Sequence, residues 1–211
     1  LYAEKQLAQW ARQKFGIELT PQELASESNE PLEDATQKVS NLIVDRARES
    51  YRQREVLYPI EFAVDTWSRI AQVDGVWAAK QLATWANQRY ELGWEAEQVA
   101  NMPREKIYES LSAEAKAWYE NGKLEATVEE ALRTHPEPPD LVQWVEKRFD
   151  QKVQVQDLED PELRREVLMS KGRAMLRSEL AQLERYVLLQ ILDTAWKDHL
   201  YAMDQLKDAV G

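Results

Sequence analysis

A nine-residue pattern centred on tryptophan occurs three times in this chain and constrains its fold more than any other feature. The three copies, here called Trp frames, span residues 7–15, 82–90 and 141–149. Each begins with Leu, has Trp three residues later, and has a base and an aromatic residue four and five residues after the Trp. These spacings place side chains on one face of an α-helix. The pattern therefore predicts three copies of a short amphipathic helix.

The similarity continues beyond each frame, which identifies the repeat as a longer structural unit. Apolar residues follow four and nine positions after the frame's final aromatic residue: Leu19 and Leu24, Trp94 and Val99, and Val153 and Leu158. A tight exit, an extended stretch, a turn and a further helix should follow each frame. Large aromatic side chains at such regular positions usually belong to a core. We expect six of them to be the repeat core: Trp10, Phe15, Trp85, Tyr90, Trp144 and Phe149.

Proline and glycine positions predict the helix boundaries. One helix should begin at Pro31 and end before Pro59, because the residue ahead of a proline disfavours helix. A Pro-rich run at 136–139 is the clearest boundary in the chain. No proline occurs from 162 to 211, where apolar residues recur every three or four positions. This stretch predicts one long helix, with Gly172 as its one plausible bend.

Composition narrows the classes of function. The 211 residues include 27 Lys and Arg against 38 Asp and Glu, which gives a net charge of −11. Such a surface repels phosphate, so general nucleic-acid binding is disfavoured. The longest apolar stretch falls far below the roughly 20 residues that cross a bilayer, and we expect no membrane span. The absence of cysteine excludes disulfides and thiolate chemistry and is consistent with a reducing compartment.

No pattern of residues typical of catalysis is found. The two histidines, His135 and His199, have no second ligand at metal spacing. The sequence contains no phosphate-binding glycine loop and no recognisable hydrolase or metalloprotease motif. We therefore predict no catalytic, cofactor-binding or metal site in this chain.

The C-terminal part resembles SecA, the motor ATPase of bacterial preprotein translocation. Twelve residues fill the family's pattern Leu-Leu-Gln-x-Leu-Asp-x-x-Trp-Lys-x-His-Leu-x-x-Met-Asp-x-Leu: Leu188, Leu189, Gln190, Leu192, Asp193, Trp196, Lys197, His199, Leu200, Met203, Asp204 and Leu206. The resemblance is sharpest over about the last thirty residues. The preceding part looks like the helical wing of family members in which this wing is enlarged.

The resemblance implies a mainly α fold, an elongated helical wing with repeated Trp-frame units plus one long scaffold helix. Residues 1–135 would be the enlarged wing with two Trp frames, and residues 136–160 a linker with the third. Residues 161–211 would be the long scaffold helix that leads into the two-helix finger, with the stretch from about Leu180 to Gly211 as the first arm of that finger. In the family, a Gly-Tyr-containing loop and a returning helix follow this point.

The resemblance also implies partners and a location. The partners would be the SecY channel complex, preprotein substrates, and the motor's own nucleotide-binding and preprotein cross-linking domains. The nucleotide-binding domains would hold ATP and Mg²⁺. The motor would be cytoplasmic and peripheral at the inner face of the plasma membrane. Five residues of the matched helix are candidates for partner contact or mechanical coupling: Trp196, His199, Tyr201, Met203 and Asp204.

Other classes of function remain open on the sequence. The chain could be a free-standing helical scaffold that binds partners through its Trp frames and has no part in secretion. A complete enzyme is disfavoured because the sequence contains no recognisable catalytic motif. A winged helix that reads DNA is disfavoured by the net charge and by the lack of a basic helix.

Overall fold

The computed structural model describes residues 2–25 and 31–210, the side chain of Val210 excepted. These residues form α-helices and one 3-10 turn, and the described part contains no strand, which confirms the mainly α fold class. The helices in chain order are α1 (Tyr2–Phe15), α2 (Leu32–Ala71), α3 (Gly75–Tyr90), α4 (Ala96–Ala100), α5 (Arg104–Tyr119), α6 (Lys123–Thr134), α7 (Pro138–Phe149), α8 (Pro161–Leu176) and α9 (Ser178–Val210). The 3-10 turn spans Val155–Leu158.

The chain divides into two compact units, Leu1–Glu55 and Val56–Gly211. The sequence predicts a division near residue 136, and the structure differs from that expectation. The third Trp frame, in α7, contributes Leu141, Val145 and Phe149 to the same hydrophobic core as the second frame in α3. The segment 136–160 is therefore part of the second unit, because its apolar residues are buried there.

The first unit has a small core of its own. Ala11 of α1 is fully buried, and the segment after α1 adds Ile17, Leu19 and Leu24. Partly buried apolar residues of α1 and of the first part of α2 pack against this cluster: Leu7, Ala8, Val39, Leu42 and Ile43. Burial of one face of α1 against α2 is what stabilises these two amphipathic helices.

The second unit has a larger core, to which α3, α5, α6, α7 and α8 each contribute. Its largest fully buried side chains include Trp118, Tyr90 and Phe149. Contacts between α3 and α5, between α3 and α7, and between α8 and both α6 and α7 close this core. The second and third Trp frames are thus central to the packing of this unit.

Helix α2 continues through Pro59 to Ala71, so the expected end before Pro59 is wrong. An internal proline costs a helix about 3 kcal/mol through the lost hydrogen bond and a steric clash. The structure offsets this cost by burial: Val56, Ile60 and Val64, spaced at four residues, all lie in the core of the second unit. Tertiary packing therefore overrides the local preference of the sequence.

The predicted single helix over residues 161–211 is divided in two at Arg177, between α8 and α9, and does not bend at Gly172. Gly172 is buried where α8 passes Leu124 and Phe149. At the break, the guanidinium of Arg89 donates a hydrogen bond to the carbonyl of Met175. In an unbroken helix that carbonyl would accept from the N–H of Glu179. The break thus follows from a tertiary contact.

Candidate functional site

The Trp-frame repeat is present in three dimensions. In each copy the residue after the final aromatic has a positive φ: 65° at Gly16, 58° at Glu91 and 52° at Asp150. This left-handed conformation ends the helix, and it is uncommon for residues other than glycine. The six apolar residues that follow the frames at matched positions are all buried: Leu19, Leu24, Trp94, Val99, Val153 and Leu158. The three copies therefore share one local fold, as the spacing predicts.

The two aromatic rings of each frame also share one geometry. Trp10 and Phe15 meet edge to face with ring centroids 5.3 Å apart, and Trp85 and Tyr90 do so at 5.8 Å. Trp144 and Phe149 repeat the arrangement at 4.9 Å. Edge-to-face contacts of this kind are favourable because the positive ring edge meets the negative ring face. Each frame therefore presents one aromatic pair.

Burial of these pairs differs between the copies, which corrects part of the predicted repeat core. Tyr90 and Phe149 are fully buried, and Trp85 and Trp144 pack against the core of the second unit as partly buried residues. Trp10 and Phe15, in contrast, are 43% and 41% exposed. The first pair is therefore less buried than the second and third pairs.

The base of the second frame forms a buried polar cluster at the start of α9. Both terminal nitrogens of Arg89 donate to Glu179 Oε2 at 2.7 Å, and Nη2 also donates to Ser178 Oγ at 2.8 Å. Trp85 Nε1 donates to the other carboxylate oxygen of Glu179 at 3.0 Å. The side chains of Arg89 and Glu179 are only 5% and 13% exposed. We call Trp85, Arg89, Ser178 and Glu179 the α9 anchor.

The base of the third frame caps the end of α3. Arg148 donates to the carbonyl oxygens of Gln88 and Arg89 at 2.7 and 3.3 Å, and its Nε lies 3.0 Å from a carboxylate oxygen of Glu91. Burial lowers the pKa of the Arg148 guanidinium, and the charge of Glu91 opposes this shift. A cation at the end of a helix is stabilised by the helix dipole. Arg148 therefore joins the second and third frames.

The α9 anchor could not be predicted from the sequence, because no local pattern indicates it. Arg89 and Glu179 lie ninety residues apart, and the sequence around each of them contains no motif that points to the other. The only available signal is the base that each frame carries four residues after its Trp. Two shallow grooves of about 330 and 260 Å³ flank the anchor. In the described residues, no group of three or more His, Asp and Glu side chains lies close enough to hold a metal ion.

Helix α9 leaves the core directly after the anchor and exposes a long series of apolar side chains. Leu180 is buried, but from residue 185 to residue 209 every side chain is exposed. The exposed large apolar residues are Tyr186, Val187, Leu188, Leu189, Ile191, Leu192, Trp196, Leu200, Tyr201, Met203 and Leu206. Such a concentration of exposed apolar surface on one helix is typical of a contact site.

The five candidate coupling residues lie on this exposed part of α9 and divide between two faces. Trp196, His199 and Met203 follow one another at steps of three and four residues and share one face. The rings of Trp196 and His199 are 5.8 Å apart. Tyr201 and Asp204, three residues apart, lie on another side of the helix. The candidates therefore form two separate surfaces.

An exposed ion pair lies beside these surfaces. Lys197 Nζ is 2.6 Å from Asp193 Oδ2, and both side chains are more than half exposed. A helical pair of this kind contributes only about 0.3–0.5 kcal/mol, because solvent screens both charges. This ion pair therefore contributes little to the stability of the fold.

Fold and site together define a helical module, in which the second Trp frame anchors a helix with an exposed apolar surface. Among the described residues, none of the helices combines the length and the apolar character that a membrane span requires. No solved structure shows significant similarity to the chain.

Residues 64–211 match the SecA wing and scaffold domain. The chain belongs to this family, and the resemblance of its C-terminal part to SecA is confirmed. The whole chain aligns at 26% identity with 18% of the protein translocase subunit SecA 1 of Rhodopirellula baltica. Over 56% of the chain, it is 32% identical to 16% of the protein translocase subunit SecA of Carboxydothermus hydrogenoformans. The chain spans less than a fifth of the length of these curated relatives.

Proposed function

We propose that this chain is the wing and scaffold segment of a SecA-type motor that uses ATP to move preproteins through the SecY channel. Its own role is mechanical coupling and contact, and catalysis belongs to other domains. The observation that carries the proposal is the exposed apolar surface of α9, which follows directly after a buried polar anchor. Membership of the SecA wing and scaffold family supports it.

The anchor suits α9 to transmit movement. Glu179 and Ser178 attach its first turn to α3 through Arg89, while residues 185–209 are exposed along their whole length. At 1.5 Å per residue, these 25 residues extend for about 37 Å. A rigid helix that is held at one end carries a displacement of its base to its far end. The proposed role is therefore that of the first arm of the two-helix finger.

The two faces of α9 have separate proposed roles. The face with Trp196, His199 and Met203 is the more apolar, and it is suited to pack against a returning helix or a neighbouring domain of the motor. Methionine adapts to varied partners, and tryptophan contributes a large contact area. The face with Tyr201 and Asp204 is proposed to meet the preprotein or the channel.

The nucleotide chemistry is proposed to lie outside this segment. ATP and Mg²⁺ would bind the motor's nucleotide-binding domains, and the motor would work in the cytoplasm at the inner face of the plasma membrane. The purified 211-residue chain is accordingly expected to show no ATP turnover. Measurable turnover, abolished by a substitution within the chain, would favour the hypothesis of a complete enzyme.

Site-specific photo-cross-linking in the full-length translocase tests the contact role. A photoreactive residue at Tyr201 should label a translocating preprotein or the channel, and one at Met203 should label the motor itself. Tyr186 provides the matched control: it is a similarly exposed tyrosine on α9, about 22 Å nearer the anchor, and should label neither preprotein nor channel.

The outcomes separate the proposals. If a photoreactive residue at position 201 labels only the motor itself, the contact role of Tyr201 is contradicted and α9 is a purely structural scaffold. Equal labelling of preprotein from positions 186 and 201 would contradict a specialised far end of α9. A parent protein without nucleotide-binding domains would instead favour a free-standing helical scaffold.

A further inference from the structure

The first Trp frame presents an uncovered copy of a surface that the chain covers elsewhere. Trp10 and Phe15 have the same ring geometry as Trp85 and Tyr90, yet both are more than two-fifths exposed. Lys14 occupies the position of the base, four residues after Trp10, and is also exposed. The aromatic pair and the base lie outside the small core of the first unit.

The second frame shows what such a surface binds. Its cover is the first turn of α9, in which Ser178 and Glu179 are followed by the buried Leu180. The Glu179 carboxylate accepts hydrogen bonds from the indole N–H of Trp85 and from the guanidinium of Arg89 at the same time. An acidic side chain in the first turn of a helix is also favoured by the helix dipole. The feature that contacts the second frame is therefore the carboxylate at a helix start, and the next residue, Leu180, is apolar and buried.

Charge at the first frame is complementary to such a helix start. Helix α1 carries three bases, Lys5, Arg12 and Lys14, and one acid, Glu4, within a chain whose net charge is −11. Lys14 lies on the same side of α1 as Trp10, whereas Arg12 points to another side and lies 3.9 Å from Glu18. Lys14 is thus the base available to a carboxylate beside Trp10.

We propose that Trp10, Lys14 and Phe15 form a docking surface for the acidic first turn of an amphipathic helix from a partner protein. The carboxylate of that turn accepts hydrogen bonds from the Trp10 indole and the Lys14 ammonium, and the following apolar residue covers the Trp10–Phe15 pair. The surface lies entirely before residue 64, and hence before the part of the chain that matches the SecA wing and scaffold domain. The proposal adds a protein-binding site to the enlarged wing.

A peptide of residues 178–192 with an acetylated N-terminus is the probe, because it contains the helix start that binds the second frame. It is titrated into the full 211-residue chain while the indole N–H signals of the eight tryptophans are followed by NMR. Trp10→Phe assigns the Trp10 signal. Binding should shift this signal, and a peptide with Glu179→Gln should bind roughly tenfold or more weakly, because a charge-assisted hydrogen bond is lost.

Substitutions in α1 complete the test. Lys14→Glu should weaken binding of the peptide roughly tenfold or more. A Glu179→Lys peptide should restore part of this loss, because it restores the ion pair but cannot accept a hydrogen bond from the Trp10 indole. Arg12→Glu, an equal charge reversal on the same helix, should leave the affinity within about twofold. Unchanged signals of the other seven tryptophans establish that each variant is folded.

Several results would overturn the proposal. A shift of the Trp85 signal alone, or of none, would show that the first frame does not bind a helix start. Equal binding by the Glu179→Gln peptide would reduce the effect to nonspecific apolar contact. A concentration-dependent Trp10 shift without peptide, lost in Lys14→Glu, would identify a second copy of this chain as the occupant in place of a partner protein.

Discussion

Gly172 shows at the scale of one residue how packing determines the role of a glycine. A Cβ at this position would lie 3.2 Å from Phe149 Cζ and closer still to Leu124 Cδ1, and both neighbours are buried. The helix itself is regular there. The glycine therefore serves the close approach of α8 to the core and does not serve to bend the helix.

Gly172→Ala should lower the free energy of unfolding by about 1–2 kcal/mol, because overpacking outweighs the roughly 1 kcal/mol gain in helix propensity. Gly75→Ala is the matched control, since nothing lies within 4 Å of a Cβ at that position in α3. It should be neutral or slightly stabilising. Chemical denaturation of both variants measures the difference, and a stabilised Gly172→Ala variant would contradict the packing role.

Tyr90 combines full burial with an ionisable hydroxyl. Burial raises the pKa of this hydroxyl well above its ordinary value of about 10. The folded state then retains a proton that the unfolded state loses, so stability is intact below about pH 10 and falls as the pH rises further. The hydroxyl has no hydrogen-bond partner among the described residues.

Tyr90→Phe should therefore be neutral or stabilising by up to about 1 kcal/mol at pH 7. Above pH 10, its free energy of unfolding should fall less steeply than that of the parent, by up to about 1.4 kcal/mol per pH unit. Tyr2→Phe, at a 78% exposed tyrosine, should not change the slope. Denaturation at a series of alkaline pH values measures both, and parallel curves for parent and Tyr90→Phe would contradict the expectation.

At the scale of elements, the boundary between α8 and α9 depends on the α9 anchor. The Met175 carbonyl accepts a hydrogen bond from Arg89 in place of one from the helix backbone. Arg89 also donates to Glu179 and Ser178 at the start of the next helix. Removal of one partner of a buried ion pair leaves an uncompensated charge, which is strongly destabilising. The anchor should therefore determine where α9 begins and how firmly it is held.

Glu179→Ala should cost about 2–4 kcal/mol, since Arg89 keeps its bonds to Ser178 and Met175 but loses its counter-ion. Asp193→Ala breaks the exposed pair with Lys197 on the same helix and should cost no more than about 0.5 kcal/mol. Thermal or chemical unfolding compares the two. Equal and small effects would show that the anchor does not stabilise the unit.

At the scale of the whole molecule, the exposed part of α9 adds apolar surface without adding to either core that the described residues form. Side chains of residues 185–209 are exposed throughout. Their burial in the proposed motor would come from contact with other segments. The free energy of folding of the second unit should therefore depend on the anchor and not on the rest of the helix.

Deletion of residues 186–211 should change the free energy of unfolding by no more than about 0.5 kcal/mol and should reduce self-association through apolar contacts. Deletion of residues 177–211, which also removes Glu179 and Leu180, should cost about 3–5 kcal/mol. Unfolding curves and sedimentation of the two truncated chains measure these effects. A large loss from the shorter deletion would contradict an unpacked α9.

The sequence by itself determined the features that depend on local spacing. The three Trp frames, their matched buried residues and the apolar series of α9 follow from helical periodicity, which acts between residues three or four positions apart. The SecA resemblance depends on the same kind of fixed spacing, at Trp196 and His199 among others. These features are readable because the interactions that produce them are close in the chain.

Tertiary structure alone decided the rest. The passage of α2 through Pro59, the break at Arg177 and the packing of Gly172 each depend on side chains that are distant in sequence. The same holds for the difference between the exposed Trp10 and the covered Trp85, since the cover is supplied by Glu179, ninety-four residues after Trp85. Identical local patterns acquire different roles because burial depends on which distant element packs against each copy.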